Sequence, residues 1–269
     1  MANSNDETFR VFTAPMGCEL LNRGTRIVDR EGWYQLITPG SNVASRNMVI
    51  YSNVKDSDAE AVIDDTIAQY RAIGAAIRWC VGPPTRPVDF GQRLRRRGFT
   101  ETDLRGMACH PEQIVAQHRQ DVKDSKDIVV ERAGLELADL YAETMVIGWH
   151  TGNAPPSKDD FAVVREDHLW TLLQPGERFQ SFLARYQGKP AGTAGFIVKG
   201  DLAYLVGGNV LPAFRHRGIY RALIVARMVR LAELGIRYAV TQAREATSAP
   251  ILEKLGFSSV YSSKIFTLT

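Results

Sequence analysis

Two spacings of apolar residues alternate along the chain and predict strands interspersed with helices. Short runs rich in β-branched and aromatic residues, bounded by turn-forming residues, are typical of strands. Such runs occupy residues 9–14, 33–38, 47–53, 77–81, 128–132, 179–186, 191–199, 202–210 and 236–240. Helices that bury one face are predicted at residues 58–73, 136–146, 159–173 and 219–234. The order of these elements predicts an α/β (α+β) protein.

One short pattern occurs twice. Residues 77–81 match residues 236–240 at an offset of 159, and residues 94–99 match residues 252–257 at an offset of 158. In both copies a strand is followed by a polar loop, a short helix and a Gly-Phe turn, in which the glycine caps the helix. Two short matches can arise by chance, but their similar spacing favours a duplication.

Composition places the chain among globular proteins. It has 269 residues, of which 45% are hydrophobic, and neither a long apolar run nor a secretory signal pattern is present. Cys18, Cys80 and Cys109 lack metal-ligand spacing, so we expect no metal site and reduced thiols. These features predict a cytoplasmic protein without a membrane segment.

The charge pattern gives little support to nucleic-acid binding. The formal net charge is +3, and basic residues are scattered apart from a cluster at residues 93–97. This cluster could contact a phosphate or a nucleic acid, but a solvated helix end favoured by the helix dipole is the preferred interpretation.

The strongest chemical signal is a basic turn at residues 215–220, between a predicted strand and a predicted helix. The first N–H groups of a helix have no partners within it, and the helix dipole places partial positive charge there. Arg215 and Arg217 add full charges beside Gly218. This arrangement predicts a phosphate site. The following helix carries Arg221, Arg227 and Arg230, which we expect on its other faces.

The residues of this turn resemble a known family motif. Val210-x-Pro212-x-x-Arg215-x-x-Gly218 resembles the acetyl-CoA-binding motif of the GCN5-related N-acetyltransferases, the GNAT family. Residues 251–257, ILEKLGF, resemble the family's second signature. The resemblance covers residues 128–269 and implies an acetyltransferase that uses acetyl-CoA as co-substrate.

The resemblance implies where acetyl-CoA binds. The pantetheine arm is expected to pair with the backbone of a bulged strand at Gly208 and Val210, and the pyrophosphate is expected at the turn. One departure is Tyr220, where the family usually has glycine or alanine, so its ring must point away from the phosphates or face the reaction centre. The predicted cofactor-binding residues are Gly208, Val210, Arg215, His216, Arg217, Gly218, Ile219 and Tyr220.

The catalytic acid and base are not evident. Many family members have a tyrosine where this chain has Leu252, which cannot donate a proton. Glu245 stands near the start of that helix and is either a base or a helix cap. His150, in a loop after Trp149, and Tyr220 are the other catalytic candidates; Tyr261 is a weaker one. Direct attack in a ternary complex needs little beyond proximity.

The repeat indicates that only the second copy binds CoA. An offset of 159 places Asp56 and Asp58 at the positions of Arg215 and Arg217. Carboxylates there would repel a pyrophosphate and would serve better as helix caps. We therefore expect two tandem GNAT-like domains, each a mixed, mostly antiparallel sheet flanked by helices. A degenerate domain spans residues 1–115, a linker residues 116–127, and the acetyltransferase domain residues 128–269.

The expected reaction is acetyl transfer from acetyl-CoA to an amine, on a small molecule or a peptide. Two alternatives remain open at this point. One is a non-catalytic acetyl-CoA-binding or interaction module, consistent with Leu252 at the acid position. The other is a tandem-GNAT acyl or aminoacyl transferase with a tRNA or lipid donor, for which a larger basic surface would be expected.

Overall fold

The computed structural model describes residues 4–17, 23–41, 43–123, 126–150, 155–174, 176 and 178–269. The fold is α+β, as predicted, with mixed sheets flanked by helices. Its contacts divide the chain into two compact units. Unit 1 comprises Met1–Met107, Gln242–Pro250 and Ser258–Thr269, and unit 2 comprises Ala108–Thr241 and Ile251–Phe257.

Unit 1 contains strands from both ends of the chain. Its sheet has the order β1-β2-β3-β4-β11-β5. Strands β3 and β4 are parallel, whereas β11 is antiparallel to β4. The elements are α1 Ser4–Phe12, β1 Arg26–Arg30, β2 Trp33–Ile37, β3 Met48–Ser52, α2 Ala59–Ala72, β4 Ile77–Val81, α3 Phe90–Arg96, β5 Thr100–Cys109 and β11 Ser258–Leu268. The last strand of the sequence therefore completes the sheet of the first unit.

Aromatic packing forms the core of unit 1. The Trp33 and Trp79 rings meet edge to face with centroids 5.5 Å apart, and Phe90 lies 5.1 Å from Trp79. Phe266 of β11 is also fully buried in this cluster. Burial of several large rings is a strong driving force for folding, so β11 is an integral part of this core.

Unit 2 is built around one long helix and a largely antiparallel sheet with the order β10-β9-β8-β7-β6. Only β10 and β9 are parallel. Its elements are α4 Pro111–Lys123, β6 Ile128–Arg132, α5 Ala138–Trp149, α6 Lys158–Leu172, β7 Phe179–Tyr186, β8 Lys189–Lys199, β9 Leu202–Val210, α7 Ile219–Glu233, β10 Tyr238–Arg244 and α8 Ser248–Lys254. The last residues of β10 and the first residues of α8 fall in unit 1, and Ala108 and Cys109 at the end of β5 fall in unit 2.

Local sequence explains how two helices of unit 2 begin and end. Ser157 caps α6 by accepting a hydrogen bond from the Asp160 N–H, and Asp160 bonds back to Ser157, which is a capping box. Gly235 follows α7 in the left-handed region, with φ +69°. The Ile236 N–H then donates to Leu231 O at 2.9 Å, which closes the helix end.

One sequence-based expectation differs from the structure. Residues 9–14, predicted as a strand, belong largely to helix α1, whose acidic first turn and final Arg10 suit the helix dipole. Strand β1 was not predicted. The bounds of the two domains and of the linker at residues 116–127 stay a prediction. Helix α4 extends over Pro111–Lys123, with Ile114 buried.

Within the described residues, no helix is long and apolar enough to cross a membrane. Cys80 and Cys109 are buried free thiols. Burial raises the pKa of Cys80 to about 12, and it raises the pKa of Cys109 further. Such thiols are chemically inert. Cys18 lies outside the described residues.

Candidate functional site

Strand β9 carries a bulge at the predicted pantetheine position. Gly207 and Gly208 of β9 face the single residue Ala194 of β8. Gly207 has φ +62°, in the left-handed region that glycine occupies without a Cβ clash. A bulge of this kind bends its strand and interrupts the ladder of hydrogen bonds.

Strand β9 also separates from its parallel neighbour. Its pairing with β10 covers Leu202 to Tyr204. The Thr241 hydroxyl then donates to Leu205 O at 3.3 Å. The described pairing between β9 and β10 therefore ends well before Val210. A strand edge that leaves its partner in this way can accept an extended ligand as an additional strand.

The basic turn leads directly from β9 into α7. His216 and Gly218 both have left-handed backbones, with φ +62° and +80°, and Gly218 is the N-cap of α7. The helix's own bonding begins with the Ala222 N–H, which donates to Gly218 O at 3.0 Å. The N–H groups of the residues just after Gly218 therefore precede the helix's own bonding and have no acceptor within α7.

The cationic groups of the turn are exposed. Arg215, His216 and Arg217 all face solvent. The Arg217 guanidinium lies over the Tyr186 ring, 5.0 Å from its centroid, and Nη1 donates to the Tyr186 hydroxyl at 3.3 Å. Stacking of this kind orients a guanidinium without neutralising it. Gly218 is exposed as well, whereas Ile219 is buried and anchors the helix.

Tyr220 points toward the sheet. Its Cε2 atom lies 3.2 Å from the position that a β-carbon would take at Gly208. The ring therefore lies against the bulge of β9. The absence of a side chain at Gly208 makes room for it. The sequence left two orientations for this ring, away from the phosphates or toward the reaction centre. In the structure, the ring lies beside the strand that is predicted to bind pantetheine.

The remaining catalytic candidates do not form one cluster. Glu245 belongs to unit 1, where it pairs with Arg105 through two hydrogen bonds, and this pairing lowers the pKa of its carboxyl. His150 is exposed at the C-cap of α5, and residues 151–154 of its loop lie outside the described residues. Leu252 is buried, as is Tyr261 of unit 1, whose hydroxyl accepts a hydrogen bond from Gln242.

The turn at residues 56–58, which is predicted to correspond to the basic turn, has a different chemistry. Asp56–Asp58 form a short 3₁₀ turn ahead of α2. Arg93 of α3 forms ion pairs with Asp56, Glu60 and Asp89. This part of the basic cluster is thus committed to acidic side chains.

Arg227 of α7 is buried near the site, contrary to the sequence-based expectation. Arg227 was expected on a polar face of α7, but its side chain is only 2% exposed. Its Nη1 donates to Gly195 O at 3.0 Å and its Nε to Leu223 O at 3.1 Å. Position 227 follows Leu223 by four residues, so helical periodicity does place it on the buried face. The prediction followed instead the general observation that arginine side chains are mostly exposed. No group of three or more metal-ligating side chains occurs among the described residues.

Residues 136–257 match the Acetyltransferase (GNAT) family. A comparison with curated proteins gave no match.

Solved structures resemble nearly the whole chain. One is a GCN5-related N-acetyltransferase from Kribbella flavida, 14% identical, with a TM-score of 0.66 over 96% of this chain and 94% of that one. A functionally unknown conserved protein from Staphylococcus epidermidis ATCC 12228 is 13% identical, with a TM-score of 0.66 over 91% and 94%. A tandem GNAT protein from the clavulanic acid biosynthesis pathway is 12% identical, with a TM-score of 0.57 over 98% and 96%. At these identities the likeness concerns the fold.

Proposed function

Since residues 136–257 belong to the acetyltransferase (GNAT) family, we propose that this chain transfers an acetyl group from acetyl-CoA to an amine. One observation carries the proposal. Strand β9, which has its bulge at Gly207 and Gly208, leads into helix α7, which begins at Gly218 in the αL conformation. GNAT proteins typically use acetyl-CoA. The residues present suit its two halves, because the unpaired edge of β9 suits an extended arm and the cationic turn suits a pyrophosphate.

Each part of the site has a distinct role in this proposal. Arg215 and Arg217 hold the phosphates, and the first-turn amides of α7 add the helix dipole. The backbone of Gly208 and Val210 holds the pantetheine arm. Acetyl-CoA supplies the acyl group: the amine lone pair forms the N–C bond, the C–S electron pair passes to sulfur, and the amine proton passes to water.

The N-terminal part is proposed to be a degenerate copy of the same fold. The order β3-α2-β4-α3-β5 repeats that of β9-α7-β10-α8-β11, and both copies begin with a parallel strand pair. The antiparallel pairing of β11 with β4 places a second-copy strand beside a first-copy strand. Because Asp56 and Arg93 form an ion pair where the second copy has its cationic turn, we propose one CoA site per chain.

The acceptor is proposed to be an amine of a small molecule or a peptide. One candidate function of another class has a specific observation in its favour. Leu252 is buried, and Glu245 is held by Arg105, so neither is available as a proton carrier. A protein that binds acetyl-CoA without transferring the acetyl group would have the same arrangement.

Calorimetry with acetyl-CoA tests the proposal. The wild type is expected to bind, and Arg215→Glu combined with Gly218→Asp is expected to abolish binding. Arg237→Glu is the matched control, because it reverses an exposed charge beyond the opposite end of α7. Undiminished binding by the double variant, or none by the wild type, would sink the proposal. Release of free thiol against a panel of amines then separates an enzyme from a binding module.

A further inference from the structure

Arg227 is a buried cation at the bulge of β9. Its guanidinium lies within the fold of unit 2, and Nη2 lies 3.7 Å from the position that a β-carbon would take at Gly208. Nη1 donates to Gly195 O of β8, next to the residue that faces the bulge. The arginine therefore bonds to β8 and lies beside Gly208 of β9, where the register of the two strands shifts.

Among the described residues, the groups that act on this charge are phenols and a thiol rather than carboxylates. The groups that act on it within the described residues are the Tyr220 phenol on its own helix, the Tyr141 phenol of α5 and the Cys109 thiol of β5. Burial raises the pKa of both Tyr141 and Cys109, so these two groups are neutral near pH 7. Burial lowers the pKa of Arg227 to about 10, which still leaves it protonated.

An unpaired buried charge is costly, and a fold retains it where an anion or a developing negative charge offsets that cost. The two carbonyl oxygens that Arg227 bonds supply part of the compensation. The third nitrogen, Nη2, lies beside Gly208, whose backbone is proposed to bind the pantetheine arm of acetyl-CoA. The space that a side chain at Gly208 would fill is shared by this nitrogen and the Tyr220 ring.

We propose that Arg227 is a positioning residue that fixes the β9 bulge and supplies the positive charge that favours the CoA thiolate as leaving group. This inference rests on the proposed function. It accounts for the absence of a proton donor at Leu252, since sulfur can depart with its electron pair when a fixed positive potential stabilises the thiolate.

The test compares CoA with desulfo-CoA, which lacks the thiol. In the wild type, titration of bound CoA by the ultraviolet absorbance of its thiolate is expected to show ionisation about one pH unit lower than in free CoA. This corresponds to roughly tenfold tighter binding of the thiolate. Arg227→Met is expected to remove the shift, and Arg227→Lys to retain most of it. Arg230→Met is the matched control, because that arginine already pairs with Glu233.

Each outcome decides one of the two proposals. If the wild type binds neither acetyl-CoA, CoA nor desulfo-CoA, the proposed function fails. If it binds them but the bound thiol titrates like free CoA, the inference about Arg227 fails by itself, and this measurement needs no variant. If Arg227→Met weakens CoA and desulfo-CoA equally and keeps the shift, the arginine only holds the bulge and the electrostatic role is overturned.

Discussion

The carboxamide oxygen of Asn209 lies against the backbone of Gly148, in the space that a side chain at position 148 would need. Asn209 is the residue after the β9 bulge, and its Nδ2 donates to the Thr193 hydroxyl at 2.7 Å. Gly148 is in the last turn of α5, two residues before His150. The end of α5 and the predicted pantetheine strand are therefore in direct contact.

Gly148→Ala is expected to destabilise the protein by about 1–3 kcal/mol, because the new methyl group overlaps the Asn209 side chain in a packed interior. Chemical denaturation measures the loss. Adding Asn209→Ala should recover part of it by removing the overlapping atoms. If the single variant is as stable as the wild type, the contact described here is wrong.

Gly218→Ala is expected to cost about 1–2 kcal/mol, since alanine at φ +80° is strained although its methyl group would have space. Gly235→Ala is the control, because it carries a similar strain, φ +69°, at the other end of α7. Both should lower the melting temperature, but only Gly218→Ala should weaken acetyl-CoA binding in calorimetry. Equal affinities of the two variants would contradict the assignment of Gly218.

Glu245→Gln is expected to leave the neutral limb of the pH–rate profile unchanged. Hydrogen bonds from Arg105 lower the pKa of this carboxyl, and a less basic carboxylate is a poorer general base. The pKa of this carboxyl is lower in the folded protein than in the unfolded chain. The ion pair therefore stabilises the protein above the unfolded pKa, and this stabilisation is lost as the pH falls through the folded pKa. Glu131→Gln, which breaks the Arg185 pair of unit 2, is the control. If Glu245→Gln loses turnover and Glu131→Gln does not, Glu245 acts as a general base and this prediction is wrong.

His168 is expected to make the protein acid-sensitive. Burial lowers its pKa from 6.5 to about 4, and its ring stacks on Tyr141 with centroids 4.3 Å apart. The unfolded chain therefore binds the proton more readily, so stability is present above about pH 6.5 and falls toward pH 4. The slope from this group is at most about 1.4 kcal/mol per pH unit.

Urea unfolding between pH 7 and pH 4.5 measures this slope. The stability difference between the wild type and His168→Gln should narrow as the pH falls, because glutamine has no proton to gain. His110→Gln, which removes an exposed histidine, is the control variant. Parallel curves for His168→Gln would refute the expectation.

Much of unit 2 was predictable because its signals are local. The strands at residues 179–186 and 202–210 and the helix after Gly218 follow from periodicity and from glycine at the helix start. The family resemblance also depends on contiguous residues, and residues 136–257 match the family. By contrast, residues 9–14 contain enough apolar residues for either a strand or a helix, and the acidic first turn of α1 and Arg10 in its last turn favour the helix.

The sequence by itself determined the α+β class, most of the elements of unit 2 and the resemblance of the motif at Arg215 and Gly218 to the GNAT family. The tertiary structure alone decided the pairing of β11 with β4, which requires strands more than 150 residues apart and has no local signature. It also decided that Arg227 is buried at the bulge, because the environment of a side chain depends on which strands its helix covers. Local chemistry is encoded along the chain, whereas the partners of a strand or a charge are set by packing.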